Sequence, residues 1–154
     1  DVSYSGTVAG AMEGTVLGIP SLALSQAYAG ASKHKPHWDT AIKFAPDIIK
    51  RVLKAGMPRD VLVNVNFPDC PPNEVAGTVL AVQGKRDQEL LHIEPRNDGR
   101  GNPYYWIAFG RGGIAGAAAG SDLAALNDKQ IAVTPLRLDM TDEKFMSRLT
   151  KDFG

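Results

Sequence analysis

Residues 1–14 read DVSYSGTVAGAMEG, a run of small polar residues that leads directly into a helical pattern. Apolar residues then recur at every fourth position, at Val8, Met12 and Val16. This spacing predicts a helix over residues 5–17. The first amides of a helix lack intrahelical acceptors and the dipole is positive there, so Ser5, Gly6 and Thr7 are suited to an anion such as phosphate. The alternative is that these residues only cap the helix.

A second stripe on the same predicted helix consists of glycines. Gly6, Gly10 and Gly14 are spaced four residues apart. Because glycine weakens a helix by about 1 kcal/mol relative to alanine, three on one face predict a close approach to the backbone. A neighbouring strand or helix would explain the stripe, and a ligand near Gly6 is compatible with it.

The remaining patterns predict an α/β fold with an antiparallel excursion in its middle. Strands are predicted at 21–25, 61–67, 78–82, 104–109 and 130–136, and helices at 38–55, at 121–127 and after a Thr141 cap. The stretch 86–103 is polar with turn signals, and the Gly/Ala-rich stretch 110–120 is predicted to be a flexible loop or lid.

Composition excludes several classes of function. The chain has 154 residues, 44% of them hydrophobic, which suffices for one domain with a core. Its 17 Lys and Arg residues balance 17 Asp and Glu residues, so nothing favours a nucleic-acid polymer or an anionic membrane as partner. No apolar run reaches the roughly 18 residues of a membrane span. A single cysteine, Cys70, excludes a disulfide framework and is consistent with a cytoplasmic location.

Metal and catalytic patterns are weak in the residues themselves. His34 and His37 are three apart on a Pro-containing loop without a third ligand, and solvated loop histidines are the preferred interpretation. No carboxylate pair stands out. The residues alone therefore give one anion-binding helix start and no complete catalytic set.

The opening motif resembles a known family. The stretch YSGTVAGAMEG at 4–14 is similar to the YSGTVAAAMEG signature of the SurE family of survival-protein nucleotidases. Further landmarks follow in the family's order: LGIPSLALS at 17–25, NVNFP at 64–68, RGNPYYWI at 100–107, GSD at 120–122 and VTPL at 133–136. Together they span nearly the whole chain.

The resemblance implies a fold and an activity. The fold would be a Rossmann-like, three-layer α/β domain with a protruding β-hairpin region and a C-terminal helix that can exchange between subunits. The activity would be hydrolysis of nucleoside 5′- and 3′-monophosphates, and of short polyphosphate, with Mg²⁺ or Mn²⁺. Homodimers and homotetramers are typical of the family.

The resemblance also implies roles for individual residues. Ser5, Gly6 and Thr7 would hold the phosphate at the helix start. Arg100 and Tyr105 would shape the nucleotide entrance. Ser121, where the family usually has Thr, and Asp122 would add substrate contacts.

The family's metal ligands have no counterpart in these residues. They are an Asp-Asp pair, a Ser and an Asn of an N-terminal portion. Residues 1–154 are therefore expected to form the C-terminal portion of one SurE-like domain, inactive by itself, with the metal ligands in the missing segment. The competing hypothesis is a non-catalytic domain for anion binding or oligomerisation.

Overall fold

A computed structural model describes residues 2–85, 91–109 and 117–153. The strands are β1 Leu22–Gln26, β2 Val61–Phe67, β3 Gly77–Leu80, β4 Leu91–Asn97, β5 Pro103–Phe109 and β6 Gln130–Arg137. The helices are α1 Gly6–Val16, α2 Trp38–Ala55, α3 Asp122–Asn127 and α4 Glu143–Phe153, with short 3₁₀ helices at Val2–Tyr4 and Gly30–His34. The part of the predicted Gly/Ala-rich loop at 110–116 lies outside the described residues.

Four strands form the main sheet in the order β1-β2-β6-β3. Strands β1 and β2 are parallel and joined by α2, which is the βαβ connection expected of an α/β fold. Strand β6 is antiparallel to β2 and parallel to β3. The sheet is therefore mixed.

Helices cover both faces of this sheet, because the alternation along β2 sends side chains to both sides. Helix α2 covers one face, where Ile48 packs with Val63, Val65 and Phe67. Helix α1 covers the other face, where Val8 and Ala11 pack with Ala23 and Leu62. Helix α3 lies beside α1 on that second face and packs Ala125 against Ala81 and Ala132. The three-layer α/β prediction is confirmed.

Strands β4 and β5 form a separate antiparallel hairpin. Only β5 was predicted, because the 86–103 stretch is polar and contains Pro95. The hairpin has two strands, so Pro95 lies on an edge strand, where a missing N–H is tolerated. The turn signal at Asn97-Asp98-Gly99 is correct, since β4 ends at Asn97.

The C-terminal helix α4 has no buried residue. Its cap differs from the prediction: the Phe145 N–H donates to Asp142 Oδ1 at 2.9 Å, so Asp142 and not Thr141 caps the helix. Among the ranges the structure describes, no helix has the length and apolar character needed to cross a bilayer.

Candidate functional site

A small cavity lies where α1 begins, β2 ends and α3 begins. Its volume is about 90 Å³. It is lined by Val2, Ser5, Val8, Asn64, Asn66, Gly84, Asp122, Leu123 and Leu126. The cavity therefore sits between the two helices that share one face of the sheet, with β2 beneath it.

The start of α1 forms one wall. Ser5 Oγ accepts a hydrogen bond from the Val8 N–H at 3.2 Å, so Ser5 caps the helix and its hydroxyl proton remains free to donate. Gly6 and Thr7 are exposed and do not line the cavity. Within the described chain their N–H groups have no acceptor, and a Cβ on Gly6 would meet nothing within 4 Å. The helix start is therefore open and carries two free amides.

The glycine stripe has a structural cause at only one of its three positions. A Cβ on Gly14 would collide with Ser21 Oγ, so glycine allows the chain after α1 to pack against the helix. Gly10, like Gly6, faces open space. The predicted close approach of a neighbour is correct at Gly14 and wrong at Gly10.

Strand β2 supplies the floor. Asn64 and Asn66 alternate with the valines of the α2-side core and share the α1 side with Leu62. Asn64 is only 5% exposed and lines the cavity, and its side chain makes no hydrogen bond to another described residue, although its polar atoms are not fully buried. Thr134, opposite Asn64 in the β2–β6 register, is also buried, and its Oγ1 has no partner there either. Sequence reasoning missed both asparagines, although amides at alternate positions of a buried strand were a signal.

The start of α3 forms the opposite wall. Asp122 lines the cavity, is 8% exposed, and accepts a hydrogen bond on Oδ1 from the Gly84 N–H at 2.8 Å. Ser121 is buried, does not line the cavity, and caps α3 by accepting from the Ala124 N–H. Of the predicted site residues, only Ser5 and Asp122 meet at the cavity.

Arg100 and Tyr105 lie on the hairpin and do not line the cavity. Arg100 is in the turn, where its N–H donates to Asp98 Oδ1 at 2.8 Å. The side-chain hydrogen bond from Asn102, with backbone bonds from Asn102 and Arg100, holds the pKa of the Asp98 carboxyl below its usual value. Tyr105 is 73% exposed on β5.

The cavity does not hold the ligands of a divalent ion by itself. Asp122 is the only carboxylate among the lining residues that the structure describes, and one oxygen of that group already accepts from Gly84. Elsewhere in the described ranges, no three His, Cys, Asp or Glu side chains come together, and this includes His34 and His37. Mg²⁺ and Mn²⁺ require several hard oxygen ligands held together, so these residues alone do not fit such an ion.

Comparison with known proteins supports the resemblance in the sequence. A family model described as "Survival protein SurE" matches residues 1–90. The chain belongs to the SurE family. Two relatives, each called "5'-nucleotidase SurE", come from Bradyrhizobium sp. strain BTAi1 (55% identical over 155 residues) and Azorhizobium caulinodans (56% over 153 residues).

A solved SurE protein from Aquifex aeolicus has the same fold. Its TM-score is 0.76 and it is 38% identical, with all of this chain covered. The match covers 60% of that chain, and it covers 61% and 60% of the Bradyrhizobium and Azorhizobium relatives. The chain thus spans about three fifths of the length of these SurE proteins.

Proposed function

We propose that this chain belongs to a nucleotidase that releases phosphate from nucleoside 5′- and 3′-monophosphates, and from short polyphosphate, with a divalent metal. The names of its SurE relatives support this reaction class. One observation carries the proposal: the exposed start of α1 has two amides without an acceptor among the described residues, and Gly6 has no side chain.

The phosphate is bound at this helix start. The N–H groups of Gly6 and Thr7 donate to its oxygens, and the positive end of the helix dipole favours its charge. The Thr7 hydroxyl is a further donor. The absence of a Cβ on Gly6 lets an oxygen approach the backbone. These groups bind and orient the phosphate and stabilise negative charge as it develops.

The metal, Mg²⁺ or Mn²⁺, is assigned to ligands outside residues 1–154. Support comes from the incomplete donor set of the cavity and from the two fifths of SurE length that the chain does not span. In this proposal the present residues form the phosphate-facing part of a site in one domain, whose metal-binding part precedes them.

The protein is further proposed to act as a homodimer or homotetramer in the cytoplasm. The exposed apolar side chains of α4 and of the hairpin support self-association, since Phe145 and Met146 are about half exposed and Trp106 is 51% exposed. The unpaired Cys70 is consistent with a reducing compartment.

Phosphate release separates the two candidate functions. We expect the longer protein that carries the proposed N-terminal portion to hydrolyse nucleoside monophosphates with Mn²⁺ or Mg²⁺ and to lose the activity in EDTA. Residues 1–154 alone should be inactive. If the longer protein is folded and binds phosphate but shows no turnover with any divalent ion, the result would favour the non-catalytic domain. Metal-dependent hydrolysis by residues 1–154 would show that the metal ligands are in this chain.

A further inference from the structure

The polar groups of the cavity have a charge pattern that does not suit a phosphate. Asp122 brings a negative charge, and none of the lining residues that the structure describes is Lys, Arg or His. A phosphate dianion placed beside a poorly solvated carboxylate is disfavoured by like-charge repulsion and by desolvation. A neutral hydroxyl group can donate to a carboxylate and accept from an amide, so it matches both kinds of group.

Asn64 offers a polar group to a ligand in the cavity. Buried amides in folded proteins are nearly always hydrogen-bonded, because burying one without a partner is costly. Asn64 is 5% exposed and lines the cavity, and its side chain makes no hydrogen bond to another described residue. Its polar atoms are not among the fully buried unpartnered ones, so they remain within reach of a group in the cavity. A polar group entering the cavity would supply a hydrogen-bond partner for Asn64.

Asp122 offers the complementary acceptor. Its Oδ1 is occupied by the Gly84 N–H, which fixes the orientation of the carboxylate. Hydrogen bonding to Oδ1 leaves Oδ2 as the oxygen available to a donor on a ligand. The cavity therefore offers an amide N–H on its floor and a carboxylate oxygen on its wall.

We infer that this cavity takes the secondary hydroxyl groups of the nucleotide's sugar, which accept from Asn64 Nδ2 and donate to Asp122 Oδ2. The inference rests on the proposed function. Ser5 belongs to both the helix start and the cavity wall, so the sugar lies next to the phosphate, as the ester bond requires. A volume of about 90 Å³ admits a few hydroxyl-sized groups and not a base. Asn64 thus becomes a specificity-determining residue.

The test compares substrates that differ only in these hydroxyls. In the longer protein with Mn²⁺, kcat/KM is measured for a ribonucleoside 5′-monophosphate and its 2′,3′-dideoxy counterpart. We expect the wild type to prefer the ribonucleotide by about tenfold or more, and Asn64→Ala to reduce this preference to roughly twofold. If Asn64→Ala does not fold, Asn64→Ser takes its place.

Val65→Ala is the matched control. Val65 follows Asn64 on the same strand, is fully buried, and points to the α2 face, so this variant weakens packing without touching the cavity. It should keep the wild-type preference. Two outcomes would overturn the sugar site and leave the proposed function standing. One is that the wild type turns over the ribonucleotide and its dideoxy counterpart equally well, and the other is that Asn64→Ala keeps the wild-type preference for the ribonucleotide.

An outcome without any turnover by the wild type would contradict the proposed function and not the sugar site. Equilibrium binding of the free ribonucleoside, without phosphate or metal, then decides the inference. Binding should weaken by about tenfold for the 2′,3′-dideoxynucleoside, and Asn64→Ala should remove the difference. Equal binding of both nucleosides by the wild type would reject the sugar site.

Discussion

Gly6 and Gly14 occupy the same stripe of α1 but serve different purposes. Glycine at position 14 has a packing reason, because a Cβ there would overlap Ser21 Oγ unless that hydroxyl moved. Glycine at position 6 is not required by packing, since the space around it is open. A residue that the fold does not explain, at a helix start with free amides, is best explained by a ligand that approaches the backbone.

Substitution of Gly6 separates these explanations. Gly6→Val should lower the affinity for inorganic phosphate by about tenfold or more, because a branched side chain occupies the approach to the Gly6 and Thr7 amides. The free energy of unfolding should change by less than about 1 kcal/mol, since no atom is displaced and glycine is already a poor helix former. Phosphate titration and chemical denaturation measure the two quantities.

Gly10→Val is the matched control for this substitution. Gly10 lies one turn further along α1 and also faces open space, so the change in helix propensity is similar. Its phosphate affinity should equal that of the wild type. Equal affinity in Gly6→Val and Gly10→Val would remove the helix start from the phosphate site.

At the residue scale, the sequence predicted which groups begin the site but not which groups complete it. Ser5 and Asp122 follow from local patterns, a cap before a helix and a family motif. Asn64 meets them only because β2 lies beneath both α1 and α3, which is a property of the sheet order. Alternation along β2 places Asn64 on the face of Leu62, but nothing in the local sequence predicts that the helices leave a cavity above it.

At the element scale, hydrogen bonds join the two ends of the hairpin segment, which is residues 83–119. These bonds, with the one from Gly84 to Asp122, are called the clamp below. The Val82 N–H donates to the Gly120 carbonyl at 3.0 Å, and the Asp122 N–H donates to the Val82 carbonyl at 2.9 Å. The Gly84–Asp122 hydrogen bond lies beside this bridge. The clamp therefore ties the base of the hairpin segment to the wall of the cavity.

Gly84→Ala should open this clamp. A Cβ at Gly84 would lie 2.7 Å from Asp122 Oδ1 and 2.8 Å from Leu123 Cγ, so the start of α3 must shift. We expect a loss of about 1–3 kcal/mol in the free energy of unfolding and faster hydrogen exchange at the residue-84 amide. Gly99→Ala, in the hairpin turn with nothing within 4 Å of its Cβ, should stay within about 0.5 kcal/mol of the wild type. Equal stability of the two variants would contradict the clamp.

The elements differ in how well the sequence predicted them. Helix α2 and strand β2 have the predicted bounds, because each repeats its period over several residues and buries one or both faces. Strand β4 was not predicted, because among the described strands it pairs only with β5 and lies outside the main sheet. Its described side chains are not buried in the core, so burial imposes no apolar alternation on its sequence. Its order comes from cross-strand pairing with β5, including the cation–π contact of Arg96 with Trp106.

At the scale of the whole molecule, α4 is an amphipathic helix whose apolar side chains are not buried against the rest of the described structure. None of its residues is buried, and Phe153 is 86% exposed. In the proposed oligomer this helix packs against a second subunit, which would bury Phe145, Met146 and Phe153.

Paired substitutions on α4 test this arrangement. Phe145→Ser with Met146→Ser should lower the oligomer to a smaller species, because the apolar contact between subunits is lost. Lys144→Ser with Lys151→Ser changes charged residues of the same helix and should leave the assembly intact. Light scattering after size-exclusion chromatography measures the mass. An unchanged mass in the first variant would show that α4 is not at a subunit interface.

The bridge between Val82 and Gly120–Asp122 also makes the hairpin segment modular. The chain leaves the main domain and returns to it at two points already joined by hydrogen bonds, and the described residues between these points add no strand to the main sheet. An exchange of this segment for a longer, shorter or differently charged one would leave the core nearly unchanged. The entropic cost of closing the loop would also change little, because this cost grows slowly with loop length. Surface recognition by this domain can therefore diversify by replacement of residues beyond Gly84, which itself lines the cavity, while the cavity is retained.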